Sequence, residues 1–482
     1  MDFFSTLKLH SSGETPVYRQ LADAIRQAIQ AGRLQDGDRL PATRELAGRL
    51  MLNRTTVSAA YSLLEQAGLL EGQVGRGSFV ARVEQPLAAA VGAAPALAEA
   101  PSANFACSRP GAELFPLAEF RRVVHEVIDG PAAQEILQLG SPYGYAPLRR
   151  YLLAQGEAGG WTQPGDDLLI TNGCQQALDL LARVLVEKGT PVLVEDPVYH
   201  GLLRVFESAG AQLIPVPVGD HGLDVEALEV LLKLHQPRLL VATPEFQNPT
   251  GATLGLAQRK SIVDLAARYR FTVIESEVYR KLRYTGESLP SLKQLDRSGN
   301  VIAVASYSKV AFPGLRVGWV VAPRPVLARL AEAKQTCDLH SDQLSQAVLL
   351  RFAESGELAR HVERSKRSGA ERLTAALAGC AAYLPPGSRF TRPEGGMNLW
   401  VELPAPLLAA DLLEIAQQRG VSFLPGTNFS QRSDHRRCLR ISFGGLRPEK
   451  ITEGLAILGM AARELSLARQ QRAALEPEPA LV

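Results

Sequence analysis

Short apolar runs alternate with amphipathic segments from residue 104 to about residue 470, and this alternation constrains the fold more than any other feature. Runs such as "DDLLITNG", "TPVLVEDP" and "NVIAVASYS" end in polar residues or glycine. Segments with helical spacing, such as "CQQALDLLARVLVEKG" and "AQRKSIVDLAARYR", lie between them. Continuous apolar strands joined by helices predict a mostly parallel α/β sheet that is covered on both faces. A site is then expected at the carboxyl ends of the strands.

The first 82 residues follow a different pattern. Apolar residues at Val17, Leu21, Ile25 and Ile29 repeat with helical spacing and predict a first helix. A short second helix follows, which we expect Thr43 to cap, and a third helix comes after the break at "MLNRTT". The stretch "LLEGQVGRGSFVA" then predicts two short strands around a Gly-Arg-Gly turn. Helices followed by a β-hairpin in this order indicate a winged helix-turn-helix.

This N-terminal region carries side chains suited to DNA contact. Helix N-termini present backbone N–H groups to phosphate oxygens, and a small polar helix face fits the major groove. The candidates in the second helix, the third helix and the wing are Arg44, Arg54, Thr55, Thr56, Ser58 and Arg76. The alternative from residue types alone is a helical module for protein contacts. The stretches "GRLQDGDRLPATRELA", "NRTTVSAAYSLLEQAGLL" and "GRGSFV" resemble the DNA-binding domains of the GntR family of bacterial repressors, which implies double-stranded operator DNA as a partner.

An Ala/Pro-rich run separates these two regions. The run "PLAAAVGAAPALAEAP" has no periodicity and no turn chemistry, and such a composition is typical of a semi-rigid tether. We therefore predict a DNA-binding domain at residues 1–82, a linker at 83–103, an effector domain at 104–470 and a tail at 471–482.

Composition argues against several classes of protein. The net charge is only +2, so no global field indicates a membrane surface or nucleic acid as a partner. The start, "MDFFSTLKLH", lacks the apolar segment of a signal peptide, and prolines interrupt the longest weakly polar run, so we expect no membrane span. The five cysteines form no C-x-x-C pair and predict reduced thiols in a cytoplasmic protein. Neither they nor the eight histidines have metal-ligand spacing.

The stretch "SYSKVAFPGLRVGW" at 306–319 concentrates an amine, two hydroxyls and a guanidinium. One interpretation is a polar loop that happens to carry two cations. The other is a site for a phosphorylated aldehyde, in which Lys309 forms the imine and Ser306, Ser308 and Arg316 hold the phosphate. The choice between them depends on the polar groups elsewhere in the domain.

Further polar groups follow the other predicted strands. N–H groups at a helix start suit a phosphate, and a tyrosine can stack on a flat ring. An amide and a phenol can donate hydrogen bonds, and an arginine can hold a carboxylate through two parallel N–H groups. In chain order these residues are Gly173, Cys174, Gln175, Tyr199, Asn248, Tyr279 and Arg440. Each of them alone is more often an ordinary loop residue, but chance does not explain all of them in this order.

In this order the motifs resemble a fold-type I pyridoxal-phosphate (PLP) enzyme of the aspartate-aminotransferase class across residues 104–465. The fusion to a GntR-like domain resembles the MocR/GabR subfamily of transcriptional regulators, which implies a homodimer. The resemblance implies that Lys309 forms the internal aldimine with PLP and that Arg440 binds a carboxylate of an amine or amino-acid effector. It implies further cofactor contacts from Gly173, Cys174, Gln175, Ser306, Ser308 and Arg316 at the phosphate, Asn248 and Tyr279 at the phenolic oxygen, and Tyr199 on the ring.

Two positions depart from the enzymes that the chain resembles. Those enzymes have D-x-x-Y where this chain has "SEVY", so Ser276 replaces the aspartate that pairs with the pyridine nitrogen. If Ser276 faces the cofactor, Glu275 and Glu277 face away, because side chains alternate along a strand. Leu139 stands where the family has a tyrosine that reaches the phosphate of the partner subunit. These departures predict an effector domain with little or no transamination.

Three hypotheses for the function remain open at this point. In the first, the chain is a PLP-dependent transcriptional regulator, and an amine or amino acid that reacts at Lys309 repositions the N-terminal DNA-binding domains, which we call the heads. In the second, the chain is an active aminotransferase whose fused head tethers or autoregulates it. In the third, the regulator senses the supply of PLP itself. The winged helix and the missing aspartate favour regulation, and they favour the first hypothesis more than the third.

Overall fold

The structure is a computed structural model that describes residues 4, 7, 16–30, 34, 37–66, 69–73, 77–81, 101–430 and 435–475. The chain divides into two units, residues 1–99 and residues 100–482, and each unit has a hydrophobic core of its own. Within the described ranges, no helix is long and apolar enough to cross a membrane.

The first unit consists of three helices followed by a two-stranded antiparallel sheet, in the order that the sequence predicts. Its elements are α1 (Val17–Gln30), α2 (Thr43–Leu50), α3 (Arg54–Gln66), β1 (Leu70–Gln73) and β2 (Gly77–Val80). Leu21 on α1 packs with Val57 and Leu64 on α3, and Leu70 pairs with Val80 across the two strands. The apolar stripe read from the sequence therefore forms the core of this unit.

Thr43 does not cap the second helix, so this expectation is wrong by one residue. Thr43 is the first residue of α2, and Ala42 holds the cap position with no side-chain hydrogen bond. The carbonyl of Ala42 accepts the N–H of Leu46 at 2.9 Å. Leu46 and Ala47 are the buried residues of α2, so core packing rather than a capping hydroxyl sets where the helix begins.

The second unit alternates strands and helices over most of its length. Its strands are β3 (Ala103–Asn104), β4 (Asp166–Thr171), β5 (Pro191–Asp196), β6 (Gln212–Gly219), β7 (Gly222–Leu223), β8 (Leu239–Ala242), β9 (Thr272–Ser276), β10 (Val301–Ser306), β11 (Gly318–Pro323), β12 (Arg389–Phe390), β13 (Asn398–Glu402), β14 (Val421–Ser422), β15 (Leu424–Pro425) and β16 (Cys438–Ser442). Its helices are α4 (Leu117–Ile128), α5 (Ala133–Ile136), α6 (Ala146–Gly159), α7 (Gly173–Leu185), α8 (His200–Ser208), α9 (Val225–His235), α10 (Leu256–Tyr269), α11 (Leu292–Leu295), α12 (Arg324–Asp338), α13 (Gln343–Glu354), α14 (Glu357–Tyr383), α15 (Ala409–Gln418) and α16 (Pro448–Leu475).

The large sheet is mostly parallel, as the apolar runs predict. It has eight strands in the order β4-β11-β10-β9-β8-β5-β6-β7. The central strands β10, β9, β8, β5 and β6 pair in parallel, whereas β11 is antiparallel to both of its neighbours. Parallel neighbours end at the same edge, so the loops after β9 and β10 lie side by side.

Helices cover both faces of this sheet. Val192 and Val194 on β5 pack in one cluster with residues of α7 and α8. Leu193 between them packs in another cluster with residues of α9 and α10. Both faces of this central strand are therefore buried, which explains why it appears in the sequence as a continuous apolar run and not as an alternating one.

A smaller sheet follows in the C-terminal part of the second unit. It has the order β12-β13-β16-β15 and shares a core with α14, α15 and α16. The pair β3–β14 joins Ala103 to Val421, and α16 extends to Leu475, five residues beyond the predicted domain end at 470. The domain boundaries themselves remain predictions.

Candidate functional site

A cavity of about 450 Å³ lies at the carboxyl ends of β9 and β10, where the sequence predicts a site. Ser276 ends β9 and Ser306 ends β10, and both residues line the cavity. The predicted residues that line it are Cys174, Gln175, Tyr199, Asn248, Ser276, Tyr279, Ser306, Ser308, Lys309, Arg316 and Arg440. Gly173 lies against Arg316 at its edge. We call this space the front cavity.

Lys309 follows β10 by three residues and presents its amine to the front cavity. Its Nζ donates to the carbonyl oxygen of Ser108 at 2.6 Å and lies 5.7 Å from the centroid of the Tyr279 ring. The hydroxyl of Ser108 shares a hydrogen bond of 3.2 Å with the phenol of Tyr279. The amine is therefore held beside a phenol and a main-chain carbonyl, in the half-buried position that a nucleophilic lysine requires.

The Tyr279 phenol is electrostatically coupled to this amine. Burial raises the pKa of the phenol, but the positive charge of Lys309, the hydrogen bond with Ser108 and the charge of Arg440 outweigh burial. As a result, the pKa of Tyr279 lies below its ordinary value. A phenol of this kind is a strong hydrogen-bond donor to an oxyanion at the same end of the cavity.

The start of α7 and Arg316 form one end of the cavity. The first N–H groups of a helix have no intrahelical acceptors, and α7 begins at Gly173. Gly173 has φ +77°, and a Cβ added there would lie 2.6 Å from Nη2 of Arg316. Nη2 of Arg316 donates to the carbonyl of Asn172 at 3.3 Å. Glycine therefore allows the guanidinium and the helix start to approach each other closely.

Two hydroxyls complete the same end. Ser306 Oγ accepts the N–H of Ser308 at 3.3 Å, which fixes the turn between the two residues. Burial raises the pKa of Cys174 to about 11, although a hydrogen bond with Ser306 and the charges of Lys309 and Arg316 act in the opposite direction. Cys174 is therefore a neutral thiol. The charge at this end comes from the guanidinium, and the arrangement suits a phosphate.

Arg440 on β16 also lines the front cavity. Arg440 is only 2% exposed, and burial lowers the pKa of its guanidinium. Nη1 donates to Oδ1 of Asn248 at 3.0 Å, Nη2 donates to the carbonyl of Ala106, and Nε has no hydrogen-bond partner among the described residues. A buried guanidinium whose Nε–H has no acceptor among the described residues suits a carboxylate, because the carboxylate would supply that acceptor.

Tyr199 occupies the cap position of α8 and lines the wall of the cavity. Its ring centroid lies 4.9 Å from that of His200, and burial raises the pKa of its phenol. A ring at this position can lie against a flat ligand.

The residues around Ser276 follow the expected alternation. Ser276 lines the front cavity. The carboxylate of Glu275 accepts the N–H groups of Leu292 and Lys293 at 2.7 and 2.8 Å, and Glu277 pairs with Arg280 at 2.6 Å. Both carboxylates therefore have partners away from the cavity, and neither stands in for the aspartate.

Leu139, at the position of the missing tyrosine, lies on the surface of the second unit. Leu139 is 79% exposed. Tyr143 lies under the guanidinium of Arg149, with 5.1 Å between Cζ and the ring centroid. Neither Leu139 nor Tyr143 is among the described residues that line the front cavity.

Several residues of the cavity were not predicted. They come from the loop that contains Ser108, from the start of α8 and from the end of β8, and they are Ala106, Cys107, Ser108, Arg109, His200 and Thr243. Ser108 is 201 positions from Lys309 in the sequence, so no local pattern connects them. The polar break "CSRP" after an apolar pair was the available signal.

The DNA-contact candidates lie in the first unit. Arg44, Arg54, Thr55 and Ser58 are exposed, and Thr56 is partly buried. Arg54 is the first residue of α3, and the N–H of Thr55 donates to Oδ1 of Asn53 at 3.3 Å. Arg76 lies outside the described residues.

The donor set of the front cavity fits a phosphorylated aldehyde. One end offers helix N–H groups, two hydroxyls and Arg316 to a phosphate, and Lys309 offers an amine in the same cavity. The close approach that Gly173 allows would be lost with any other residue, and this constraint suits a dianion held between α7 and Arg316.

Comparison with known sequences agrees with this geometry. Residues 116–458 match the family profile described as "Aminotransferase class I and II". The chain belongs to this family. Residues 17–80 match a second profile, "Bacterial regulatory proteins, gntR family". The chain thus combines an N-terminal GntR-type helix-turn-helix with a C-terminal unit of the fold-type I aminotransferase fold.

Individual relatives carry one or both of these parts. The chain is 37% identical to 2-aminoadipate transaminase of Thermus thermophilus, over 75% of this chain and 90% of that protein. It is 29% identical to the probable rhizopine catabolism regulatory protein MocR of Rhizobium meliloti, over 94% of this chain and 95% of that protein. The crystal structure of LysN, the α-aminoadipate aminotransferase of Thermus thermophilus complexed with N-(5'-phosphopyridoxyl)-L-leucine, matches with a TM-score of 0.72 and 37% identity, covering 76% of this chain and 93% of that chain.

Proposed function

We propose that this protein is a PLP-dependent transcriptional regulator. In this proposal the domain predicted at residues 1–82 binds operator DNA, and the domain predicted at residues 104–470 binds PLP and senses an amine or amino acid. One observation carries the proposal: a single cavity joins Lys309, the α7–Arg316 phosphate end and the buried Arg440, in a chain that also has a GntR-type head.

The relatives support the choice of cofactor. The LysN structure contains a phosphopyridoxyl group, and its chain is similar to this one over most of the second unit. When bound, PLP supplies an electrophilic carbon that reacts with amines. In this chain Lys309 would provide the amine for that carbon, while Ser306, Ser308, Arg316 and the N–H groups of Gly173, Cys174 and Gln175 would hold the phosphate.

The remaining residues orient the ring. Tyr199 would pack against its face, and Asn248 and Tyr279 would donate to the phenolic oxygen. The lowered pKa of Tyr279 supports this role, because a more acidic phenol donates more strongly to an oxyanion. Ser276 would face the pyridine nitrogen as a neutral hydrogen-bond partner.

The charge of the front cavity indicates the class of effector. Its lining contains the cations Arg109, Lys309, Arg316 and Arg440 and no Asp or Glu among the described residues. A phosphate uses Arg316 and the aldehyde uses Lys309, which leaves Arg109 and Arg440. Of these two, Arg440 is the buried guanidinium with an unpaired Nε, so it is the one that suits a carboxylate. We therefore propose an amine that carries at least one carboxylate, as in an amino acid.

Regulation is favoured over catalysis for two reasons. MocR, a regulatory protein by name, is similar over nearly the whole chain, including the DNA-binding head. Ser276 cannot keep the pyridine nitrogen protonated as an aspartate would. The second candidate is an active aminotransferase with a fused head, and the identity of 37% with 2-aminoadipate transaminase supports it.

We also propose a homodimer whose two heads bind two operator half-sites. A two-fold assembly would match a palindromic operator, since the half-sites of such operators mirror the symmetry of the protein. In related enzymes a tyrosine at the position of Leu139 reaches the phosphate in the partner subunit. The exposed Leu139 has no polar group for such a contact, so in a dimer other residues would have to make it.

Lys309→Ala tests the proposal directly. The purified wild-type protein, after incubation with PLP and removal of the excess, should absorb visible light, and Lys309→Ala should abolish this band. Lys260→Ala, at an exposed lysine on α10, is the matched control and should retain it. A wild-type protein that stays colourless after incubation with PLP would refute the cofactor assignment.

A further inference from the structure

A second cavity, of about 420 Å³, lies behind the segment that carries Lys309. We call it the rear cavity, and Trp161, Tyr307 and Trp319 are among the residues that line it. It shares Val278 and Ser306 with the front cavity. A single layer of chain therefore separates the two spaces.

Residues around Lys309 are divided between the two cavities. Ser308 and Lys309 line the front cavity, whereas Tyr307 and Val310 line the rear cavity. A molecule in the rear cavity would thus touch residues on both sides of Lys309 in the sequence. Tyr307 is two residues and Val310 one residue from Lys309. A change in the packing of either side chain would therefore shift the backbone that positions the Lys309 amine.

The floor of the rear cavity is aromatic and apolar. The rings of Tyr307 and Trp319 have centroids 4.9 Å apart and are tilted by 52°. Leu152 and Trp161 at the α6 side and Val362 on α14 extend the apolar wall. Such a concave surface buries the body of an aromatic or branched apolar molecule.

The rim of the rear cavity is cationic. Its lining contains Arg280, Lys281, Arg283 and Lys366, with Glu277 as its only carboxylate among the described residues. Three of these cations have acidic partners: Arg280 pairs with Glu277 at 2.6 Å, Lys366 with Glu363 at 2.8 Å, and Arg283 with Glu394. Nζ of Lys281 lies 4.9 Å from the centroid of the Tyr307 ring, and no ion pair joins it to a carboxylate in the described part of the chain.

We propose that the rear cavity binds a small organic anion with an aromatic or apolar body, such as an aromatic carboxylate. The rings of Tyr307, Trp161 and Trp319 bury the body, and Lys281 binds the carboxylate. Lys366 adds a second contact, because its ion pair with the exposed Glu363 is a weak surface pair. The site is distinct from that of the amine effector, because its ligand approaches the Lys309 segment from the opposite side. Its effect on the cofactor rests on the proposed function, whereas the binding itself does not.

Binding can be measured by isothermal titration calorimetry of the PLP-treated full-length protein with 2-naphthoate. The neutral analogue 2-naphthamide, which has the same ring system, is the matched ligand. We expect 2-naphthoate to bind about tenfold more tightly than 2-naphthamide, because the carboxylate gains the two ammonium groups. Equal affinities, or no binding of either molecule, would overturn the proposal.

Two variants locate the ligand. Lys281→Gln/Lys366→Gln should reduce the affinity for 2-naphthoate about tenfold and leave that for 2-naphthamide within about twofold. Val362→Trp should abolish the binding of both by filling the apolar wall, while Val230→Trp, at an exposed valine on α9, should not. Thermal unfolding of each variant checks that it is folded. If 2-naphthoate binds these variants as it binds the wild type, the rear cavity is not its site.

Occupancy of the front cavity provides the last test. We expect 2-naphthoate to bind without displacing PLP and to shift the visible absorbance of the PLP-loaded protein. Displacement of PLP by 2-naphthoate would place the ligand in the front cavity and overturn the proposal. If the protein takes up no PLP, the proposed function fails, but the calorimetric result for the rear cavity still stands.

Discussion

Ser276 determines how much chemistry the front cavity can support. In amine chemistry with PLP, a protonated pyridine nitrogen makes the ring a better electron sink, and a neighbouring carboxylate keeps that nitrogen protonated. Ser276 faces the cavity, while Glu275 and Glu277 are engaged with α11 and Arg280. A neutral hydroxyl would leave the nitrogen largely unprotonated, so we expect amine binding to be retained and transamination to be slow.

Ser276→Asp should therefore accelerate the half-reaction with a reactive amino acid. The rate of the absorbance change that follows mixing, in single-turnover conditions, measures this effect. An increase of about tenfold or more is expected, since each pKa unit of preference for the protonated form corresponds to about 1.4 kcal/mol.

Ser276→Asn is the control, because it has the size of aspartate without the charge. It should react no faster than the wild type. Rapid transamination by the wild type, or equal rates for the Ser276→Asp and Ser276→Asn variants, would restore the aminotransferase as the leading function.

Gly173 tests the phosphate end. Gly173→Ala would place a Cβ 2.6 Å from Nη2 of Arg316, at a backbone φ of +77°. We expect a loss of PLP affinity of at least about tenfold, because the guanidinium must move away from the helix start. Titration with PLP, followed by absorbance, gives the dissociation constant.

Gly299→Ala separates strain from the loss of the phosphate contacts. Gly299 has φ +75° and has no described atom within 4 Å of an added Cβ. Both variants should lose stability, by about 1–2 kcal/mol from the left-handed backbone. Only Gly173→Ala should weaken PLP binding. An equal loss of PLP affinity in the two variants would show that the close approach of Arg316 to the start of α7 does not contribute to binding.

At the scale of the element, α3 is the proposed recognition helix. Arg54 is exposed at its first turn, and its removal should weaken operator binding by about 1–3 kcal/mol if it contacts a base edge. The visible absorbance of the cofactor should be unchanged, since the variant leaves the second unit intact. Electrophoretic mobility shift at several salt concentrations measures both the affinity and its salt dependence.

Arg26→Ala is the matched control for Arg54→Ala. Arg26 lies on α1 of the same unit and pairs with Asp23 at 2.7 Å. It should affect operator affinity much less than Arg54→Ala. Equal losses would indicate that general charge, rather than the start of α3, governs DNA binding.

At the scale of the whole molecule, the separate cores of the two units predict separate responses to the cofactor. The cluster around Leu21 and Val57 belongs to the first unit, whereas the clusters around the large sheet belong to the second. PLP at a hundredfold excess over its dissociation constant should stabilise the second unit by about 2.7 kcal/mol. Differential scanning calorimetry should show one transition that moves with PLP and one that does not. A single transition that shifts as a whole would contradict this.

The local sequence pattern was sufficient to predict the helices and strands, and to predict that the residues following the strands belong to the site. The continuous apolar runs predicted parallel strands because both faces of the sheet are covered, and parallel strands necessarily bring their carboxyl ends together. Ser276, Ser306, Lys309 and the start of α7 were therefore expected at one edge of the sheet, whereas the strand order that makes them neighbours came from the tertiary structure. In the first unit, the helical spacing of apolar residues was likewise enough to predict the three helices.

Contacts between distant segments depended on the tertiary structure. Ser108 reaches Lys309 across 201 positions and Asn248 reaches Arg440 across 192, and neither pairing follows from periodicity or spacing. The start of α2 at Thr43 follows from the burial of Leu46, and the rear cavity exists because α6 and α14 pack beside the strand ends. Periodicity reports which face of an element is buried, whereas the partner of that face is chosen by packing over the whole chain.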